Sequence, residues 1–191
     1  MVYKIISVLC NELNKGFSIA YVELQYQGGG WSRDNFIKTL NEYPNEWKQH
    51  LSMSATLPVA GYIDMHNEWG NYLSNVIKKF IATNNLEFKV QLIALKGFDA
   101  FEKNELGNPA RVAALTTINV VGDFRGIDAA LDGNGNYTDS VAAILLNKEE
   151  PEIQLALLAV LRWREENNFL AQDTGAKRNS ISGAIWMGQE A

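Results

Sequence analysis

The chain has very few of the residues that build covalent or metal-bound scaffolds, with one cysteine and two histidines among 191 residues. A lone cysteine excludes an intrachain disulfide and any metal site held by several thiolates. It favours a cytoplasmic location, with an exported protein that folds without disulfides as the alternative. No uninterrupted apolar run approaches the roughly 18 residues of a membrane-spanning helix. The sequence therefore predicts no membrane span.

Basic residues are also scarce, since 17 Lys and Arg face 22 Asp and Glu, which gives a formal net charge of −5. The excess is uneven. Residues 1–96 carry 9 basic and 8 acidic groups (net +1), whereas residues 97–191 carry 8 and 14 (net −6). An acidic half repels phosphate backbones, and no basic stripe with interleaved aromatics is present. The sequence therefore predicts no nucleic-acid partner.

Apolar residues are plentiful, at 47% of the chain, which is enough for an ordinary hydrophobic core. A length of 191 residues favours one domain that spans residues 1–191. Within it, we expect an irregular loop over 123–139 and a C-terminal tail over 171–191.

Apolar residues at helical spacing predict three long helices. Val2, Ile5, Ile6, Leu9 and Leu13 predict a helix over 2–15. The most regular stripe predicts a helix over 68–82, and Pro151 begins a helix over 151–168. This last helix is apolar on more than half of its circumference, so we expect it to be buried on two sides or against another subunit.

Residues rich in β-branched and aromatic side chains predict the strands. Residues 17–27, the alternating run 86–95 and the run 111–121 favour strands, and the last two are expected to be antiparallel neighbours. Pro58 restricts any strand within 54–65 to a sheet edge or to the residues after the proline.

One further helix is expected after the first of these strands. Ser32 or Asp34 is a suitable N-cap for a helix that runs to Leu40. The expected fold is α+β, with a small, mostly antiparallel sheet of three to five strands covered by three or more helices.

The strongest candidate for chemistry is the segment that contains Asp64 and His66. A carboxylate beside a histidine is able to perform acid–base work, and both residues would share one side at the end of a strand. The alternative is the start of a helix, with Asn67 as the cap and Glu68 in the first turn. Asp123, at the start of the irregular loop, is a further candidate for a catalytic carboxylate.

The irregular loop carries side-chain oxygens at spacings that calcium ligands use. The candidate ligands are Asp128, Asp132, Asn134, Asn136 and Asp139. Neither register is complete. From Asp132, the sixth and twelfth positions are Tyr137 and Ala143, where a calcium loop has glycine and glutamate, and from Asp128 the glycine and the final acidic residue fit but the third position is Ala130. An Asx-rich turn explains the same residues, so we predict no metal and no cofactor.

The absence of a complete catalytic motif favours a non-catalytic protein-interaction or assembly subunit, as a homo-oligomer or with a protein partner. The contacts would come from the apolar helix 151–168 and the C-terminal tail. The expected interface residues are Leu158, Ile181, Ile185 and Trp186. Two alternatives stay open. One is a small hydrolase, for which carbohydrate is one substrate class, that uses Asp64 or carboxylates of residues 123–139. The other is a binding or inhibitor protein that presents its acidic surface to a basic partner.

Overall fold

The computed structural model describes residues 1–101, 104–126, 149–171 and 185–186. Within these ranges the elements are β1 (Val2–Cys10), β2 (Phe17–Gln27), β3 (Gly30–Asn41), α1 (Asn45–Ser52), α2 (Val59–Thr83), β4 (Leu92–Lys96), β5 (Phe98–Phe101), β6 (Asn104–Leu106), α3 (Pro109–Thr116), β7 (Asn119–Gly122), α4 (Pro151–Ala171) and β8 (Ile185–Trp186). A short 3-10 turn over Ser54–Thr56 separates α1 from α2.

The strands form a mixed sheet in the order β3-β2-β1-β4-β7-β8. β1, β2 and β3 pair antiparallel, β4 and β7 are added parallel to β1, and the two-residue β8 pairs antiparallel with β7. Strands β5 and β6 form a separate hairpin. The expected α+β class is confirmed, and three of the five pairings in the main sheet are antiparallel.

The sheet separates two hydrophobic cores. On one face, α2 packs Trp69, Leu73 and Ile77 against the strands, together with buried side chains of α1 and α3. On the other face, residues 153–160 of α4 are buried against β1, β2, β4 and β7. All of these α4 side chains except Gln154 are at most 9% exposed. The wide apolar surface predicted for this helix is therefore buried within the chain over residues 153–160.

The prediction of a helix over residues 2–15 is wrong, because residues 2–10 form the strand β1. β1 lies between β2 and β4, so its side chains are buried on both faces of the sheet. Ile6 and Val8 enter the first core, whereas Ile5 and Leu9 enter the second. A strand buried on both faces carries a nearly continuous apolar run, and such a run also matches helical spacing.

Three other predicted elements are wrong. Residues 32–40 belong to β3 rather than to a helix, and residues 54–65 contain the 3-10 turn and the start of α2 rather than a strand. The run 111–121 is divided between α3 and β7, and β7 is parallel to β4 rather than antiparallel. A strand over 17–27 is confirmed, and the helices predicted over 68–82 and 151–168 lie within α2 and α4.

The strand predicted over 86–95 forms only from Leu92, as β4. Asn85 and Phe88 adopt left-handed backbone conformations, with φ of 53° and 60°, which a strand does not allow. Over the ranges that the structure describes, no helix is both long and apolar enough to cross a membrane.

Candidate functional site

A crevice lies where the parallel strands β4 and β7 end, with a cavity volume of about 340 Å³. In sheets of this kind, ligands bind outside the carboxyl ends of the parallel strands. The volume is within the range typical of small-molecule sites. The lining residues that carry polar side chains are Tyr62, His66, Asn104, Glu105, Asn108 and Asp123.

Two glycines allow the walls of the crevice to approach each other. A Cβ on Gly97, directly after β4, would lie 2.1 Å from the backbone oxygen of Leu106. A Cβ on Gly122, at the end of β7, would lie 2.7 Å from Cγ of Pro109, the first residue of α3. The β5–β6 hairpin and the start of α3 therefore pack directly against the ends of the two strands.

His66 reaches the crevice from the second turn of α2. Its Nδ1 accepts a hydrogen bond from the backbone N–H of Gly107 at 3.2 Å, and its backbone oxygen accepts one from the N–H of Asn108 at 3.0 Å. Tyr62, one helical turn earlier, stacks on the imidazole with ring centroids 6.0 Å apart and an interplanar angle of 15°. The ring is therefore held by the hairpin on one side and by its own helix on the other.

Burial lowers the pKa of His66, because desolvation disfavours the imidazolium. The backbone of Glu105 and the carboxylate of Asp123 act in the opposite direction but do not overcome it. Since the usual pKa of histidine is about 6.5, His66 is neutral at pH 7.

Asp123 directly follows β7 and has a left-handed backbone with φ of 56°. Residues held in this region are strained and are concentrated at functional sites. Its Oδ1 accepts a hydrogen bond from the N–H of Gly126 at 3.2 Å. Partial burial raises the pKa of Asp123, while this hydrogen bond and the neighbouring His66 lower it less strongly. The backbone thus directs a carboxylate to the crevice at some cost in conformational energy.

Glu105, on β6, is a second carboxylate in the crevice and is only 8% exposed. Its Oε2 accepts a hydrogen bond from the N–H of Gly97 at 3.0 Å, and its Oε1 lies 3.8 Å from Nε of Arg125. Desolvation is the largest effect on this group and raises its pKa to about 7, against the attraction of Lys96.

Behind the crevice, two cations share one carboxylate. Asp99 Oδ2 lies 2.8 Å from Nζ of Lys96 and 3.2 Å from Nη2 of Arg125. Lys96 is almost fully buried and also donates to the backbone oxygen of Cys10 at 3.2 Å. These contacts join the ends of β1 and β4 to the hairpin and to the segment after β7.

The structure brings two of the three predicted catalytic candidates together, because His66 and Asp123 line the same cavity. It does not place Asp64 there. Residues 64–68 lie inside α2, so neither the strand end nor the helix start proposed for them is correct. Asp64 and His66 are two residues apart on a helix and point roughly 200° away from each other. Asp64 is exposed. The carboxylate that shares the cavity with His66 is that of Asp123, not that of Asp64.

Glu105 and Tyr62 were missed by the sequence analysis. Glu105 lies in a hairpin that no turn motif marks, and Tyr62 lies in a stretch interpreted as an edge strand. The sequence did contain a signal for the start of α3, which lines the same crevice, because Asn108 before Pro109 is a typical helix start. In the structure, Asn108 Oδ1 accepts hydrogen bonds from the N–H groups of Ala110 and Arg111.

The other predicted site residues fall in different places. Leu158 is buried in the core under α4, and Ile185 and Trp186 pair with β7 of the same chain. The calcium-ligand candidates and one interface candidate lie outside the described residues: Asp128, Asp132, Asn134, Asn136, Asp139 and Ile181. The assembly role and the acidic binding surface stay predictions.

Among the described parts of the chain, no group of three or more His, Cys, Asp and Glu side chains is arranged to hold a metal ion. The chemical groups of the crevice are thus one neutral imidazole and two carboxyl groups in different environments. No protein-family model matches the sequence, and comparison with curated proteins finds no match.

Proposed function

We propose that the protein is a hydrolase of small polar substrates, with His66 and Asp123 as its acid–base pair. The observation that carries this proposal is that these two residues, far apart in sequence, line one cavity at the ends of β4 and β7. Acid–base catalysis requires such a pair within reach of one substrate.

The protonation states of the two groups suit this role. Asp123 is a carboxylate whose pKa is raised, which makes it a better proton acceptor than an ordinary surface aspartate. His66 is neutral at pH 7 and able to donate a hydrogen bond. Asp123 would take a proton from a water molecule as the water oxygen forms a bond to the substrate carbon, while His66 donates a hydrogen bond to the substrate oxygen. The bond between that carbon and the leaving alcohol oxygen would then break, and the alcohol would take the proton back from Asp123.

The lining of the crevice favours an uncharged, polar substrate. Asn104 supplies an amide group, whereas Asp123 and Glu105 disfavour anions. Glycosides and esters of neutral alcohols fit this description.

The test is a screen of the full chain against chromogenic glycosides and chromogenic esters, followed by variants on the best substrate. We expect Asp123→Asn and His66→Gln each to lower kcat by about 100-fold or more. Asn is the appropriate replacement at position 123, because it tolerates a left-handed backbone and keeps an oxygen for the N–H of Gly126. Asp64→Asn, an exposed position on the same helix as His66, is the matched control and should retain full activity.

Two results would contradict the proposal. One is the absence of turnover on both substrate panels by the wild-type protein. The other is turnover that survives Asp123→Asn or is lost equally in Asp64→Asn.

A further inference from the structure

The left-handed backbone of Asp123 is followed directly by two anchored residues. Phe124 is 3% exposed and packs in the core on the α4 face of the sheet. Arg125 contacts the β5–β6 hairpin, whose Phe98 and Leu106 belong to the core on the α2 face. A strained conformation persists only where its surroundings hold it, and here the anchors belong to both sides of the sheet.

The contacts of Arg125 with the hairpin are two ion pairs. Its Nη2 donates to Oδ2 of Asp99 at 3.2 Å, and its Nε lies 3.8 Å from Oε1 of Glu105. Among the described residues, this Oε1 is buried and accepts no hydrogen bond. The guanidinium side chain is itself only 28% exposed, so salt screens these pairs less than it screens surface pairs.

We infer that Arg125 is the positioning residue of Asp123, because its two ion pairs hold the segment after β7 against the hairpin and so keep the Asp123 carboxylate in the crevice. The inference rests on the proposed function for the catalytic role of that carboxylate. Arg125 is not among the residues that line the crevice, so it acts through Asp123 and not on a substrate.

A positioning role and a purely electrostatic role predict opposite changes in the pKa of Asp123, which partial burial raises. If Arg125 supplied only a positive charge, its removal would raise this pKa further, because a nearby cation favours the carboxylate. If Arg125 holds the segment in place, its removal lets the carboxylate reach water, and the pKa falls towards the usual value of about 3.9.

The experiment is ¹³C NMR titration of the Asp123 carboxyl carbon in the full, labelled chain, with Asp123→Asn to assign the signal. The variant is Arg125→Met, which leaves Asp99 paired with Lys96 and leaves Glu105 bonded to the N–H of Gly97. No buried charge loses all of its partners, so we expect a folded protein, which circular dichroism checks. We expect the pKa of Asp123 to fall to about 3.9 in this variant.

Two further variants serve as controls. Arg125→Lys keeps the charge and one ion pair to Asp99, so it should keep the raised pKa of Asp123. Arg33→Met removes an arginine whose Nε lies 3.8 Å from Oε2 of Glu149, on β3 at the far side of the sheet from β7. It should leave the pKa of Asp123 unchanged.

A pKa of Asp123 that rises or stays the same in Arg125→Met would overturn the inference, as would an equal fall in Arg125→Lys or in Arg33→Met. If Arg125→Met does not fold, Arg125→Gln replaces it with the same expectations. On a substrate of the wild type, Arg125→Met should lower kcat by about tenfold or more, and Arg125→Lys should restore most of it. The titration needs no substrate, so failure of the inference is distinguishable from failure of the hydrolase proposal.

Discussion

The sheet has two parts that are built differently. The ribbon, residues 2–41, consists of the long strands β1, β2 and β3, which are joined by a six-residue loop and a two-residue turn. The parallel part consists of β4 and β7, of five and four residues, each reached through a helix. In the ribbon, the connection between β2 and β3 follows local rules: Gly28 and Gly29 have positive φ, as a two-residue hairpin turn requires.

The parallel part departs from local rules at three positions that border the crevice. Gly97 contacts backbone at a distance that no side chain allows, Glu105 is a buried carboxyl, and Asp123 has a left-handed backbone. Departures of this kind are expected at functional sites. In the ribbon, Gly16 makes a comparable contact, since an added Cβ would lie 2.2 Å from the backbone oxygen of Asn41, so a close glycine contact alone does not distinguish the two parts. The grouping of three departures at one crevice supports the proposal that the ends of β4 and β7 carry the chemistry.

The largest effect should come from Gly97→Ala, which tests whether the crevice depends on close backbone contact. The new Cβ would overlap the backbone oxygen of Leu106, so we expect a loss of about 3 kcal/mol or more in the free energy of unfolding. Gly61→Ala is the matched control, because its Cβ would be at an ordinary 3.6 Å from Leu57. Denaturant unfolding, monitored by tryptophan fluorescence, measures the stability of both variants. Equal stability of Gly97→Ala and Gly61→Ala would show that the crevice does not depend on the close backbone contact of Gly97.

Glu105→Gln should stabilise the protein at alkaline pH. The folded pKa of about 7 lies above the usual value of 4.5, so the folded state binds more protons than the unfolded state between these values. The wild type therefore loses stability as pH rises through this window, whereas glutamine stays neutral. We expect a gain of up to about 3 kcal/mol at pH 8.5 that disappears below pH 4.5.

The check for Glu105→Gln is unfolding of both proteins over pH 4 to 9. Glu68→Gln, which removes the same charge from an exposed position on α2, controls for net charge. A gain that does not vary with pH would show that the burial of Glu105 has no such cost.

In the ribbon, Gly29→Ala should cost only about 1 kcal/mol. A Cβ there meets no described atom within 4 Å, so only the φ of +81° opposes it. Alanine at position 29 thus tests backbone strain without steric overlap, whereas alanine at position 97 tests steric overlap with the backbone. If Gly29→Ala lowers the free energy of unfolding as much as Gly97→Ala does in the same experiment, the steric overlap at position 97 does not explain the larger expected loss.

The smallest effect should come from Tyr62→Phe. It removes one hydrogen bond to the backbone of Glu105 and leaves the ring in place, so we expect a loss of about 1 kcal/mol. Thermal unfolding at pH 7 measures it, and a variant as stable as the wild type would show that the hydroxyl bond does not hold the hairpin.

The sequence identified α2, α4 and β2. It failed at β1, whose nearly continuous apolar run also matches helical spacing, and at β3, where good caps conflict with strand pairing. α2 has a clear stripe, and its core was predicted. β1 was mistaken for a helix, because both of its faces are buried and alternation is absent. β3 was mistaken because Ser32 and Asp34 are good caps, yet pairing with β2 determines their conformation.

At the site, the sequence indicated His66 and Asp123 but paired His66 with the wrong carboxylate. Proximity in sequence suggested Asp64, whereas the crossover through α3 brings Asp123 to the same cavity. That contact depends on the parallel order of β4 and β7, which the pattern of residues 111–121 did not reveal. Glu105 was not predictable, since its burial comes from the hairpin folding back on Gly97.

The central position of β1 has a consequence for the order of folding during synthesis. β1 precedes its antiparallel partner by a short turn, but its other edge pairs with Leu92–Lys96, made some 80 residues later. Until that segment leaves the ribosome, a nascent chain exposes one edge of its most apolar strand. Pairing over such a separation is slow relative to hairpin formation, so the early ribbon is the species most exposed to wrong strand partners.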